Sequence, residues 1–176
     1  MTRRKPNIAR RSAARLAAVQ ALYEIDVVGV PATPVLKEFL ENRWSNATPK
    51  DLDDVDYMKD SGTKAILPQP ENKFLKLIVH GVSNDQERVD SAIAPVLNSP
   101  WVLDQLHTLV RAILRAGAFE FIECPEVPAR TIISEYVGLA HAFFCENEPA
   151  FINAVLDNLA GEYRSNEFIK KNASTS

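Results

Sequence analysis

Outside residues 45–70, the apolar residues between Ile8 and Leu159 recur every three or four positions, and no segment alternates with the two-residue period of a strand. Spacing of that kind lines side chains along one face of a helix, so the chain has to bury itself by packing helices on one another. Leu106, Val110, Ile113, Leu114 and Phe121 form one such series, and Phe151, Ile152, Val155, Leu156 and Leu159 another. Between them Ile132, Ile133, Tyr136, Val137, Ala140, Phe143 and Phe144 are so apolar that the segment reads as a heavily buried helix, with Phe143 in the core. The expected architecture is all-α, a compact bundle of about seven helices in two packed sub-bundles.

Punctuation sets the limits of the elements. Pro6 keeps residues 1–7 out of the first helix, which starts near Ile8 and ends at Gly29, Pro31 and Pro34. Leu16, Val19 and Tyr23 fall at i, i+3 and i+7 and are assigned to its core stripe, leaving Arg11 and Arg15 pointing away from it. A second short helix is expected over 35–44, and residues 45–70, rich in acids and prolines, read as an irregular surface excursion. Helical spacing returns at Phe74, Leu77, Ile78 and Val82, continues through Val89 and Ile93, and is closed in the last half by Cys124-Pro125 and Pro149. The division is a basic arm over 1–7, one helical domain over 8–164, and a polar, disordered tail over 165–176.

A chain of 176 residues with 46% hydrophobic and 24% charged residues can bury one sizeable core. Catalytic chemistry has little to build on. His80, His107 and His141 stand on separate segments without metal-ligand spacing, and the glycines never cluster into a phosphate-cradling loop. Asp51-Leu52-Asp53-Asp54 lacks the glycine and spacing of a calcium loop. No cofactor, metal or enzymatic activity is expected. Cys124 and Cys145 form neither a disulfide framework nor a metal clamp, and no apolar run reaches the length of a membrane span, so a cytoplasmic protein is expected.

One feature stands out. The net charge is −3, yet Arg3, Arg4, Lys5, Arg10, Arg11 and Arg15 precede the first acid, Glu24. Because salt screens charges beyond roughly 8–10 Å, such an end attracts a polyanion whatever the charge of the whole. Arginines carried on a helix as well as on an arm are held at fixed spacing, which suits phosphates and unpaired bases of single-stranded RNA.

The residues also resemble a known family. Arg10-Arg11-Ser12-Ala13-Ala14-Arg15 running into Ala18-Val19-Gln20-Ala21-Leu22-Tyr23 is similar to the opening of the NusB family. Arg111-Ala112-Ile113-Leu114-Arg115, Val127-Pro128 with Ile133-Ser134-Glu135, and Phe151-Ile152-Asn153-Ala154-Val155-Leu156-Asp157 follow in the family's order. The resemblance implies a transcription antitermination factor that binds boxA RNA of nascent ribosomal RNA transcripts. It implies the ribosomal protein NusE as partner and assembly of the antitermination complex on RNA polymerase. By the same resemblance RNA contact falls on Arg10, Arg11 and Arg15, with Arg3, Arg4 and Lys5 as a looser arm and Phe151 on the same surface. Tyr23 is assigned to the partner interface, although its phase suits a core residue equally. Ser134 and Ala154 depart from the family's Asn and Gly, with effects expected on packing only. Val110 stands where many members carry an acid, removing an ionic contact to the partner. The competing readings are an accessory domain of an RNA-modifying enzyme, for whose catalytic part the chain is too short, and a structural protein that self-dimerises.

Overall fold

Glycine in the left-handed region closes the first helix: Gly29 has φ +72° and donates its N–H to the Ile25 carbonyl. The computed structural model describes residues 8–43, 68–98 and 100–169. Within them lie α1 (Ile8–Val28), α2 (Ala32–Glu38), α3 (Asn72–Asn84), α4 (Gln86–Ile93), α5 (Thr108–Glu123), α6 (Ala129–Phe143), α7 (Glu148–Tyr163) and α8 (Ser165–Ile169), and no strand. The expected arm with Arg3, Arg4 and Lys5, Trp44, nearly all of the excursion over 45–70 and the last seven residues lie outside the described residues.

Prolines place several boundaries. Pro31 takes the N-cap of α2 and Pro34 sits in its first turn, where a missing N–H costs nothing, so α2 starts three residues before the expected Val35. It runs into a π-helical turn, Phe39–Arg43, that buries Phe39 completely. Pro95 turns the end of α4 into a short 3₁₀ segment, and Pro125 stops α5 at Cys124 by disfavouring the helical region before it.

α5 is the axis of the molecule. It buries Val110, Ala112, Ile113, Leu114, Ala118, Phe119 and Phe121, covering most of its circumference, which is the pattern of a central helix. α1, α2 and α3 pack together on one side of it, and α4, α6 and α7 on the other, giving the two sub-bundles.

The buried face of α1 is not the one its large residues suggest. Ala13, Ala14, Ala17, Ala18 and Ala21 are buried with Val19 and Leu22, whereas Tyr23 is 38% exposed and Leu16 only half-buried. Alanines let α1 approach α3 and α5 closely, and this turns Arg15 inward, one turn from Val19 and two from Leu22. α6 is less enclosed than its composition suggests: Ala129, Ile132, Tyr136 and Ala140 are buried, but Phe143 is 39% exposed. Residues 165–169, expected as the start of a disordered tail, instead form α8.

Two glycines allow close crossings. A Cβ on Gly81 of α3 would overlap the Phe119 ring of α5, and one on Gly117 would stand 2.8 Å from a Leu156 methyl of α7. Gly81→Ala should therefore lower stability by about 1–3 kcal/mol through overpacking, outweighing a gain of about 1 kcal/mol in helix propensity. A urea midpoint that falls agrees with this; one that rises would mean that the ring yields freely.

Candidate nucleic-acid interface

The arginines of α1 that the sequence groups together have three different environments. Arg10 is exposed and donates to the carbonyls of Gln69 and Pro70, at 3.1 and 3.3 Å, while its own carbonyl accepts from the Glu71 N–H. Arg11, half-buried, lies 3.3 Å from Glu71 and 3.8 Å from Glu126, with its guanidinium 4.6 Å from the centre of the Phe74 ring. These two stay at the surface.

Arg15 does not. It is 2% exposed and forms a bidentate pair with the fully buried Glu120 of α5, both bonds 2.8 Å. Tyr136 of α6 donates its hydroxyl to Glu120 at 2.7 Å, and Glu135 approaches Arg15 at 3.4 Å. Burial disfavours the Arg15 charge, but the hydrogen bond and charge of Glu120, with Tyr136 and Glu135, outweigh it and raise its pKa above the ordinary value. Assigning Arg15 to an RNA surface is therefore corrected: its donors face inward and fasten α1 to α5 and α6.

The other sequence-selected residues lie towards the opposite end. Arg164, at the end of α7, donates to the Phe121 and Cys124 carbonyls at 2.9 and 2.8 Å, so that end of α7 meets the α5–α6 turn that carries Glu126. Phe151 is thirteen residues earlier, roughly 20 Å along the helix. There it is half-buried, its ring 5.5 Å from that of the exposed Trp101. Phe151 therefore does not share a patch with Arg10 and Arg11. Tyr23 borders an open groove with Val27, Val28, Leu109, Phe143 and Arg43, consistent with a surface role and not with its core alternative. Val110 is 4% exposed and points into the core, so its side chain presents nothing to a partner. Ser134 and Ala154 are exposed, so neither departure affects packing as expected.

Several ties were missed in the sequence. Asp26 of α1 accepts from Arg111 at 2.9 and 2.6 Å and lies 3.4 Å from Arg115, which in turn forks onto Asp90 of α4 at 2.7 and 2.8 Å. Glu167 of α8 accepts the Ala129 N–H at 2.8 Å at the start of α6 and pairs with Arg164. The arginines of the Arg111–Arg115 motif, four residues apart on one helical face, were a usable signal; the partners Asp26 and Asp90 carried none.

Residues 12–161 match the NusB family. The chain belongs to the NusB family. The transcription antitermination protein NusB of Rhizobium etli (strain CIAT 652) is 42% identical over 156 residues, covering 88% of each chain. That of Bradyrhizobium sp. (strain ORS 278) is 40% identical over 166 residues, covering 94% of this chain and 89% of the relative. Among solved structures, T. maritima NusB superposes with a TM-score of 0.67 at 22% identity, over 90% of this chain and 96% of that one. NusB in a crystal structure of the antitermination factors NusB and NusE with double-stranded RNA gives a TM-score of 0.67 at 24% identity, over 88% of this chain and 98% of that one. Both share the all-helical fold.

Two expectations follow. Arg15→Ala should cost about 3–5 kcal/mol, because it leaves Glu120 buried without its cation, and denaturant melts should show the loss without any RNA present. Burial, and then the charges of Glu120 and Glu126, push the Cys124 thiol from 9.0 up to about 12, and burial likewise raises Tyr136. Below pH about 9 the thiol is protonated in both states; above it only the unfolded chain ionises, so stability should fall as pH rises towards 12. Urea midpoints at pH about 8 and about 10.5 should show this drop, and Cys124→Ala should shrink it.

Proposed function

We propose that this chain is a non-catalytic, cytoplasmic transcription antitermination factor. It binds boxA RNA of nascent ribosomal RNA transcripts together with the ribosomal protein NusE, helping to assemble the antitermination complex on RNA polymerase. The observation that carries the proposal is the family match over residues 12–161 in a chain whose first helix opens on surface arginines. The names of the relatives, which are antitermination proteins, support it. So does the solved NusB of the same fold that is bound to NusE and RNA.

The acting unit is one helical domain over 8–164, extended by α8 and preceded by the basic arm. We assign phosphate contact to Arg10 and Arg11, aided by Arg3, Arg4 and Lys5. Phe151, beside Trp101, offers an aromatic face to an unpaired base at the other end, where stacking is worth about 1–3 kcal/mol. Tyr23 and its groove are assigned to NusE. No helix of the described residues is long and apolar enough to cross a membrane.

The test is fluorescence anisotropy of a short boxA RNA and a scrambled control, at low and near-physiological salt, with and without NusE. Partner-enhanced preference for boxA is expected. Arg10→Ala should weaken binding to both RNAs and lower the magnitude of the log–log salt slope by about 0.7, the share of one phosphate on a single strand. Binding that never distinguishes boxA from the control, with NusE present, would overturn the proposal.

A further inference from the structure

The cations of the described residues divide by whether a carboxylate holds them. Most arginines from Arg11 to Arg164 are ion-paired. No carboxylate among the described residues pairs with Arg10, Lys73, Lys76, Arg130 or Lys37, and all five are exposed. Four of these five surround one place. Arg11 bridges Glu71, the residue before α3, and Glu126, in the turn before α6, so the first turns of α1, α3 and α6 meet around it. Arg10 lies in the first turn of α1, Lys73 in that of α3 and Arg130 in that of α6, with Lys76 one turn beyond Lys73 on the same face.

Among the described residues, the acids flanking these helix starts are already engaged. Arg11 takes Glu71 and Glu126, and Glu167 is divided between Arg164 and the Ala129 N–H. Among the described residues, the cations left without a carboxylate here are Arg10, Lys73 and Arg130 in the first turns of the three helices and Lys76 one turn further on, and the helix dipoles add their positive ends. Lysines with mobile stems and no carboxylate partner suit a string of phosphates, which need point charges and no shaped pocket. A folded protein partner is better served by the apolar groove at Tyr23, Val27, Val28 and Phe143, beyond the middle of α1.

We propose that the RNA backbone crosses this three-helix end, with Lys73, Lys76 and Arg130 contacting phosphates alongside Arg10, while Arg11 positions the three helices that carry them. The inference rests on the RNA-binding reading above and extends it to two helices on which no RNA contact was expected.

The test compares Lys73→Gln/Lys76→Gln, Arg130→Gln and a control, Lys37→Gln, for boxA RNA binding with NusE across a salt series. Lys37 lies in α2 next to Glu38, which with Glu24 of α1 holds Arg43 away from this end. All four substituted positions are exposed, and circular dichroism checks that helicity is kept. The double variant should lower the magnitude of the salt slope by about 1.4 and Arg130→Gln by about 0.7, with the control unchanged. Wild-type RNA binding whose slope neither variant alters would overturn the inference and leave the antitermination reading intact. A drop equal to that of the control would reduce the effect to bulk charge and also overturn it, as would loss of NusE binding with RNA binding retained. A wild-type chain that binds no RNA would remove both readings.

Discussion

The buried pair between Arg15 and Glu120 is the constraint on which the rest of the structure depends. A guanidinium and a carboxylate both removed from water are tolerated only with matched geometry and further hydrogen bonds, here a two-pronged contact completed by the Tyr136 hydroxyl. One atom group on each of α1, α5 and α6 must therefore meet at a point, which fixes the rotation of all three helices. The same geometry decides which residues of α1 are left outside. With Arg15 turned inward over Phe74, Arg11 lies against the same ring from the surface side, and Arg10 reaches the chain leading into α3.

A second set of ion pairs keeps α1 antiparallel to α5. Arg15 meets Glu120 near one end, and Asp26 meets Arg111 and Arg115 near the other, so neither helix can slide by a turn without breaking both. Arg164 then closes the bundle by donating to four carbonyls at the end of α5, from Glu120 to Pro125, where a cation also complements the helix dipole. These ties hold together the end at which three helix starts converge, and the proposed RNA surface is a consequence of that convergence. Arginine thus serves two purposes in this chain: pinning helices where a carboxylate opposes it, and facing solvent where none does.

Much of the fold was legible in the sequence because helical spacing is a local property. Gly29, Pro31, Pro125 and Pro149 act through their own backbone, so the bounds of α1 and α7 and the end of α5 could be read within a residue or two, whereas the start of α5, expected near Leu103, lies at Thr108 after a separate 3₁₀ turn. What could not be read was rotation. Leu16, Val19 and Tyr23 looked like the core stripe of α1 because they are large, whereas alanines form the actual contact, and a stripe of alanines is invisible to a search for bulk. The misreading of Arg15 follows directly, since its burial depends on Glu120, more than a hundred positions away. Phe151 and Arg11 were grouped by family resemblance, and only the direction of α7 separates them. Lys73, Lys76 and Arg130 carried no motif, and it is packing that brings the starts of their helices to the start of α1.

The basic surface is the meeting point of α1, α3 and α6, and Arg15 lies behind it. The most direct measurement is the amide chemical-shift footprint of boxA RNA on the isotopically labelled chain, with unlabelled NusE present in both samples. RNA-dependent shifts should concentrate in the first turns of α1, α3 and α6, with weaker changes near Phe151. Shifts confined to the C-terminal half of α1 and the Tyr23 groove, with the three helix starts unmoved, would contradict it.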